Sequence, residues 1–565
     1  MTIHTHSPAH TTADSAPVLV DIQDLQVTYG DSSPALDGVD LTIRPGEVVA
    51  LVGESGSGKS TLTKAIIGLL SGSGRVTGGT LTFDGQDLVN ASTAEFRRVR
   101  GTRIGLVPQD PGASLDPVRT IGYQLTEVFR IHPQKELRSK ESQLAEAARL
   151  LDLVGVDRPE QRLRQFPHEL SGGLKQRVLI AMAFALKPDL LIADEPTSAL
   201  DVTVQKRVLE VFDRLAKQTG TAVLFVTHDL ALATDHASRI VVLQNGRIVE
   251  DRDVRAIATD PQHEYTKLLV DAAGQRTPAD DLLERALAAA GIKDPVPDLE
   301  AQLLPAVEVH GLTKVFGTGE AARRAVDDVS FSVPAGTTFS LVGESGSGKS
   351  TTARLILRLL HQDVGTVHVH GQDVSDLTGR QRRDLWKDLQ LVYQNPDSAL
   401  DPRMSIEKIV SEPLDNHRIG TRAERKAKVA ELLEQVNLPP RVAAARPAEL
   451  SGGQRQRVAI ARALVLGART IVLDEALSAL DVLTQAQVLD LLDALQRDLG
   501  LTYIFISHDL HIVEQISDRV GVMQAGRLVE SGTVREIFDS PREHHTQALL
   551  AANPGNLLRE LTPVH

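Results

Sequence analysis

An eleven-residue segment, LVGESGSGKST, occurs at Leu51–Thr61 and again, without a single change, at Leu341–Thr351. Inside it, GESGSGKS (Gly53–Ser60 and Gly343–Ser350) fits the pattern G-x-x-x-x-G-K-[ST]. Glycines at that spacing let the backbone wrap so that successive N–H groups point at one set of phosphate oxygens. The lysine, Lys59 or Lys349, then reaches the outer phosphates, and the Ser60 or Ser350 hydroxyl supplies an oxygen ligand for magnesium. Each copy opens a helical pattern, TLTKAIIGLL or TTARLILRLL. A strand, a sharp turn and a helix must therefore follow one another twice in this chain.

The duplication extends well beyond the motif. VLVDIQDLQVTYG (Val18–Gly30) answers to PAVEVHGLTKVFG (Pro305–Gly317), ELSGG at Glu169 to ELSGG at Glu449, and SALD at Ser198 to SALD at Ser478. The offset is 290 between Lys59 and Lys349, 285 between Gln109 and Gln394, and 280 between Ser171 and Ser451. The second copy has thus shortened two loops and kept its order, which is a domain duplication and not a solenoid. The expected organisation is a disordered tail at 1–17, one domain at 18–271, a linker at 272–304, a second domain at 305–551 and a loosely ordered tail at 552–565. Asp280–Ala290 reads as a short amphipathic helix in a Pro-punctuated acidic linker.

With 565 residues the chain needs several packing units, and 42% apolar with 24% charged residues describes a globular protein. It has no cysteine, which removes disulfides, thiolate chemistry, cysteine-bound zinc and ordinary iron–sulfur clusters. A net charge of −13 argues against non-specific binding to nucleic acid, and no nucleic-acid partner is expected. No run approaches the length of a membrane span, and MTIHTHSPAHTTADSAP lacks the basic and apolar regions of a secretory signal. His4, His6 and His10 in that stretch are read as part of a polar tail and not as a metal site.

Short aliphatic runs end where polar turns begin: VVALVG, DLLIAD, AVLFVTHD. Separated by helical stretches, such runs indicate α/β units with a mostly parallel sheet, whose ligands bind at the carboxyl ends of the strands. DLLIADEP and RTIVLDEA place Asp194 and Asp474 at that edge, suited to a water-mediated magnesium contact. Glu195 and Glu475, one residue on, can polarise an attacking water. His228 and His508 each follow the next strand, 33 residues beyond the glutamate in both copies, which favours a role at the γ-phosphate. Gln109 and Gln394 also end aliphatic runs and are read as sensors of metal and attacking water.

LSGGLKQR (Leu170–Arg177) and LSGGQRQR (Leu450–Arg457) complete the set. With these words the chain resembles ABC-type ATPases, two nucleotide-binding domains fused in tandem, over nearly everything but the tails and linker. The resemblance implies tandem P-loop NTPase domains of α/β class, each with a mostly parallel sheet core, a helical subdomain and an antiparallel β subdomain. It implies ATP and Mg2+ as cofactors, with magnesium at Ser60, Gln109 and Asp194 and at Ser350, Gln394 and Asp474. It further implies two composite sites formed by intramolecular pairing. One joins Tyr29, Gly53, Glu54, Ser55, Gly56, Ser57, Gly58, Lys59, Ser60, Thr61, Gln109, Asp194, Glu195 and His228 to Ser451, Gly452 and Gly453. The other joins Phe316, Gly343, Glu344, Ser345, Gly346, Ser347, Gly348, Lys349, Ser350, Thr351, Gln394, Asp474, Glu475 and His508 to Ser171, Gly172 and Gly173. Tyr29 and Phe316 would stack on adenine. Ala476 stands where proline usually follows the glutamate, and Leu174 where glutamine usually follows LSGG. Neither change removes a catalytic group, so both sites are expected to hydrolyse ATP.

QDPGASLDPVRTI (from Gln109), QNPDSALDPRMSI (from Gln394) and HEYTKLL (from His263) are similar to patterns in ATPases of oligopeptide, dipeptide and nickel importers; HHTQALL keeps the last only loosely. That resemblance implies two integral-membrane permease subunits as partners, an external solute-binding protein in the full complex, and a peripheral place on the cytoplasmic face of the cell membrane. Peptides are the first choice of cargo, with glutathione or nickel as alternatives. A soluble ABC-type translation factor acting on the ribosome is the other reading, but the linker lacks the Lys/Arg-rich helical pair such factors carry.

Overall fold

The computed structural model describes residues 17–30, 33–197, 200–274, 305–319, 322–478 and 480–561. The expected helix at Asp280–Ala290 and the histidines at 4, 6 and 10 lie outside these residues. The chain divides into two compact units. One is drawn from residues up to His263; the other comprises Glu264 onward with the short segments Ala199–Arg207 and Asp229–Asp235.

Each repeat contains two sheets. In the first, β1 (Val20–Tyr29), β2 (Leu36–Ile43), β4 (Gly74–Phe83) and β5 (Gln86–Asp87) form an antiparallel sheet in the order β2-β1-β4-β5. The larger sheet is built from β3 (Val48–Val52), β6 (Ile104–Val107), β7 (Leu190–Asp194), β8 (Ala222–Thr227), β9 (Arg239–Gln244) and β10 (Arg247–Asp253). Its order is β10-β9-β3-β8-β7-β6, parallel throughout except for β10. Every residue of β8, AVLFVT, is buried. A parallel strand covered on both faces needs such a continuous apolar run, whereas β2 alternates because one of its faces is wetter.

The second repeat reproduces this plan. β11 (Pro305–Phe316), β12 (Arg323–Pro334), β14 (Val364–Val369) and β15 (Gln372–Asp373) pair in the order β12-β11-β14-β15. β13 (Thr338–Val342), β16 (Leu389–Val392), β17 (Thr470–Asp474), β18 (Thr502–Ile506), β19 (Arg519–Gln524) and β20 (Arg527–Thr533) form β16-β17-β18-β13-β19-β20, with only β20 antiparallel. The helical part of each repeat contains Ile121–Ile131, Lys140–Leu153 and Gly172–Phe184, matched by Ile406–His417, Arg422–Gln435 and Gly452–Leu464.

Leu62 and Ile66 of the helix Lys59–Ile66 join a core that includes Leu51 of β3 and Val20 and Val27 of β1. Leu355 and Ile356 of the helix Lys349–Ile356 do the same with Leu341 and Val309. The helix that starts at each glycine-rich loop is thereby fixed between the two sheets of its own repeat. Its far end is held by different chemistry in the two copies. Arg100 donates from Nε to Ile67 O and from Nη2 to Gly68 O, both at 2.6 Å. In the second repeat the indole N–H of Trp386 donates to Leu357 O at 2.8 Å.

One feature departs from expectation, and a second was not anticipated. The stretch after Leu550, expected to be loosely ordered, carries a helix at Asn556–Leu561 with Leu558 only 1% exposed, and burial of that leucine stabilises it. The HEYTKLL segment belongs to a helix, Glu264–Gly274, whose entry is held by a buried carboxylate. Glu250 accepts the backbone N–H of Gln262 at 2.9 Å and of His263 at 3.0 Å. Glu530 does the same for Arg542 and Glu543. Among the described residues no helix is long and apolar enough to cross a membrane.

Candidate nucleotide sites

In each repeat four neighbouring parallel strands, β3-β8-β7-β6 or β13-β18-β17-β16, carry the predicted polar residues at their carboxyl ends. The glycine-rich loop follows the first, His228 or His508 the second, Asp194 or Asp474 closes the third, and Gln109 or Gln394 follows the fourth. Residues as far apart as Gly53 and His228, 175 positions in sequence (228 − 53), thus meet along one sheet edge.

The loop geometry demands glycine where it occurs. Gly58 and Gly348 cap their helices at φ 111° and 110°, a left-handed conformation that side chains resist. A Cβ on Gly53 would lie 2.2 Å from Leu243 O, and one on Gly343 2.2 Å from Met523 O. Neither helix has a side-chain cap or an acid in its first turn, so its leading N–H groups remain donors for a ligand. The lysines fold back into the loops: Lys59 Nζ donates to Gly53 O at 2.6 Å and Glu54 O at 2.8 Å, Lys349 Nζ to Gly343 O at 2.7 Å and Glu344 O at 2.9 Å. Both are buried, and burial pulls the Lys349 ammonium below its ordinary pKa. Ser57 and Ser347 are also buried in the loops, and their hydroxyl oxygens make no hydrogen bond. A buried hydroxyl without a partner is costly in a folded protein, and an anionic phosphate oxygen in the cradle would satisfy it.

Beside each loop stand the acids. Burial and the neighbouring Glu195 charge raise the pKa of Asp194; burial also raises that of Asp474, opposed by a hydrogen bond from the Ser350 hydroxyl at 2.9 Å. A serine hydroxyl against a carboxylate, with a glutamine amide oxygen near the same edge, is an all-oxygen donor set suited to Mg2+.

Glu195 and Glu475 adopt φ 43° and 49°, unusual for residues with a side chain, and are pinned there by bonds from their N–H groups to Val226 O and Ile506 O, both 2.9 Å. Both oxygens of each carboxylate are engaged. Gln109 Nε2 donates to Glu195 Oε2 at 2.7 Å while His228 Nδ1 lies 3.2 Å from Oε1. Gln394 Nε2 donates to Glu475 Oε2 at 2.6 Å, with His508 Nδ1 3.5 Å from Oε1. Burial alone would raise the Glu195 pKa, but the bond and charge of His228 bring it below the ordinary value. The bond from His508 is the largest influence on Glu475 and lowers it likewise. His508 in turn is raised, because the bond and charge of Glu475 outweigh its own burial. Gln and His thus converge on the glutamate itself, a contact that sequence alone did not show.

The remaining predicted residues are distributed as follows. Tyr29, half-buried, packs against the first core, while Phe316 is 42% exposed with Lys314 Nζ 5.8 Å from its ring centre. Ser171 and Ser451 are exposed N-caps of the helices Gly172–Phe184 and Gly452–Leu464. Gly452 is exposed, and Gly453 is packed so closely that a Cβ would lie 2.4 Å from Thr484 Cγ2.

The family model described as "ABC transporter" matches residues 36–198 and 326–478. The chain is 41% identical to the glutathione import ATP-binding protein GsiA of Salmonella choleraesuis (strain SC-B67), over 93% of this chain and 87% of that protein. It is 42% identical to the peptidoglycan transport ATP-binding protein YejF of Agrobacterium fabrum (strain C58 / ATCC 33970), covering 94% and 96%. Identity with the oligopeptide transport ATP-binding protein OppD of Mycobacterium tuberculosis (strain ATCC 25618 / H37Rv) is 39%, covering 95% and 98%.

Proposed function

The chain belongs to the ABC transporter family and is an ATPase of that type, and we propose that it energises a membrane importer whose cargo is a peptide. The observation that carries this reading is the presence, in one chain, of two complete sets of loop lysine, strand-end aspartate and held glutamate. The relatives' names supply the cargo class: glutathione, oligopeptides and peptidoglycan fragments all contain peptide bonds. These relatives are named for transport, which favours an importer over the ribosomal factor.

On this reading each glycine-rich loop binds the phosphates of one ATP through its N–H groups, its lysine and its free serine hydroxyl. A magnesium ion held by Ser60, Asp194 and Gln109, or by Ser350, Asp474 and Gln394, would neutralise charge on the outer phosphates. Gln109 or Gln394 must then leave the glutamate, freeing a carboxylate oxygen to orient water against the γ-phosphate. His228 and His508 keep that carboxylate ionised and placed. The LSGG serine and glycines of each repeat complete the site of the other, so that ATP favours a paired form and hydrolysis releases it. The segments after Gln109 and Gln394 transmit this change to two permease subunits at the cytoplasmic face of the membrane, with an external solute-binding protein delivering cargo.

The test is reconstitution with candidate permease subunits from the same organism. Uptake of a labelled peptide that requires ATP, and that stops with Lys59→Ala combined with Lys349→Ala, supports the reading. ATP-dependent association with ribosomes and no uptake would overturn it.

A further inference from the structure

The two LSGG serines sit on the same backbone but are held differently. Ser451 has φ −68° and ψ 164°, Ser171 φ −66° and ψ 162°, and each caps its helix. In the second repeat the cap is reciprocal. Ser451 Oγ accepts the N–H of Gln454 at 3.3 Å, while Gln454 Oε1 accepts the N–H of Ser451 at 3.0 Å. In the first repeat Ser171 Oγ accepts the N–H of Leu174 at 3.4 Å, and the leucine side chain has no acceptor to offer in return.

The reciprocal bond fixes more than the helix end. In both repeats the hydroxyl accepts the N–H three residues on, which uses one lone pair and leaves its proton free to turn toward an external acceptor. The Gln454 oxygen also occupies the Ser451 N–H and fixes that peptide plane. Both groups are then ordered before any phosphate arrives. Ser171, held on one side only, must be ordered when the site closes, and that entropy counts against binding.

We propose that Gln454 is a positioning residue for Ser451, and that its replacement by Leu174 in the first repeat makes the two nucleotide sites unequal. The site on the first glycine-rich loop, closed by Ser451, holds ATP more tightly than the site on the second loop, closed by Ser171. This rests on the pairing described under Proposed function, and the experiment separates the two.

The full chain carrying Glu195→Gln and Glu475→Gln binds ATP without turning it over. Adding Lys349→Ala leaves the first-loop site, and adding Lys59→Ala leaves the second. The dissociation constant for Mg-ATP is measured by equilibrium dialysis in each. The first-loop site binds about three- to tenfold more tightly, the range that an N-cap interaction of about 1 kcal/mol provides. Leu174→Gln tightens the second-loop site by a similar factor, whereas Leu174→Met, of similar size but without an amide, does not. Gln454→Leu, an independent variant should Leu174→Gln fold poorly, weakens the first-loop site. If neither Leu174→Gln nor Gln454→Leu changes either constant, the positioning role is overturned. If each change acts on the glycine-rich loop of its own repeat, the positioning role stands and the pairing falls.

Discussion

Gln109 donates its amide N–H to the carboxylate of Glu195 at 2.7 Å, although the two lie 86 positions apart in sequence. β6 and β7 are adjacent parallel strands, so the residues just past their carboxyl ends meet. The same contact between Gln394 and Glu475 in the second repeat, at 2.6 Å, makes it a property of the architecture. On the proposed mechanism, hydrolysis begins with a glutamate that is already occupied.

Replacing Glu195 or Glu475 by Gln keeps the volume and removes the charge proposed to orient water. Steady-state ATP turnover should fall about a hundredfold or more in each single variant, with ATP binding retained. Phosphate release in a coupled assay measures this, and full activity in either variant contradicts a catalytic role for that residue.

His508 has a raised pKa and Glu475 a lowered one because each stabilises the other's charge. The histidine's contribution to stability is complete below its unfolded pKa of about 6.5 and is lost as pH rises through its higher folded value. The glutamate's contribution is present above its unfolded value and is lost in acid as pH falls through its depressed one. Chemical denaturation at several pH values should show wild type and His508→Gln differing most just below about pH 6.5, with the gap narrowing as the pH rises above it. A gap that widens with pH contradicts the pairing.

Trp386 is the chain's single tryptophan, and its indole N–H binds the carbonyl that ends the helix beginning at Lys349. Intrinsic fluorescence should therefore report nucleotide at the second loop. Adding Mg-ATP shifts the emission of wild type and Lys59→Ala, and leaves Lys349→Ala nearly unchanged. A shift abolished by Lys59→Ala instead would contradict this.

Gly343 has φ 141° and no room for a methyl group against Met523 O. Gly343→Ala should destabilise the second unit by about 2–4 kcal/mol and lower its ATP affinity, measured by thermal melting and dialysis.

The doubling, the phosphate loops and the strand-end acids were readable because each is a local pattern: glycine spacing, an aliphatic run, an acid at its end. The grip of Gln109 and His228 on Glu195 was not, since it depends on β6, β7 and β8 being neighbours. The sequence points Gln to metal and attacking water and His to the γ-phosphate; the structure adds a contact of both with the carboxylate. Nothing local in the sequence marks the bonds by which Arg100 and Trp386 hold the ends of the two loop helices. The two solutions share no residue type. The role of Glu250 has no local signature, because a carboxylate in an edge strand reads as solvated until its bonds to the Gln262 and His263 N–H groups are seen.

The positive φ of Glu195 and Glu475 sets folding against chemistry. Glycine would adopt either turn without strain, and the carboxylate would vanish with the same change. Each half of the chain thus gives up about 1–2 kcal/mol of stability at its proposed catalytic glutamate. A variant selected purely for heat resistance would be drawn toward losing its catalyst first.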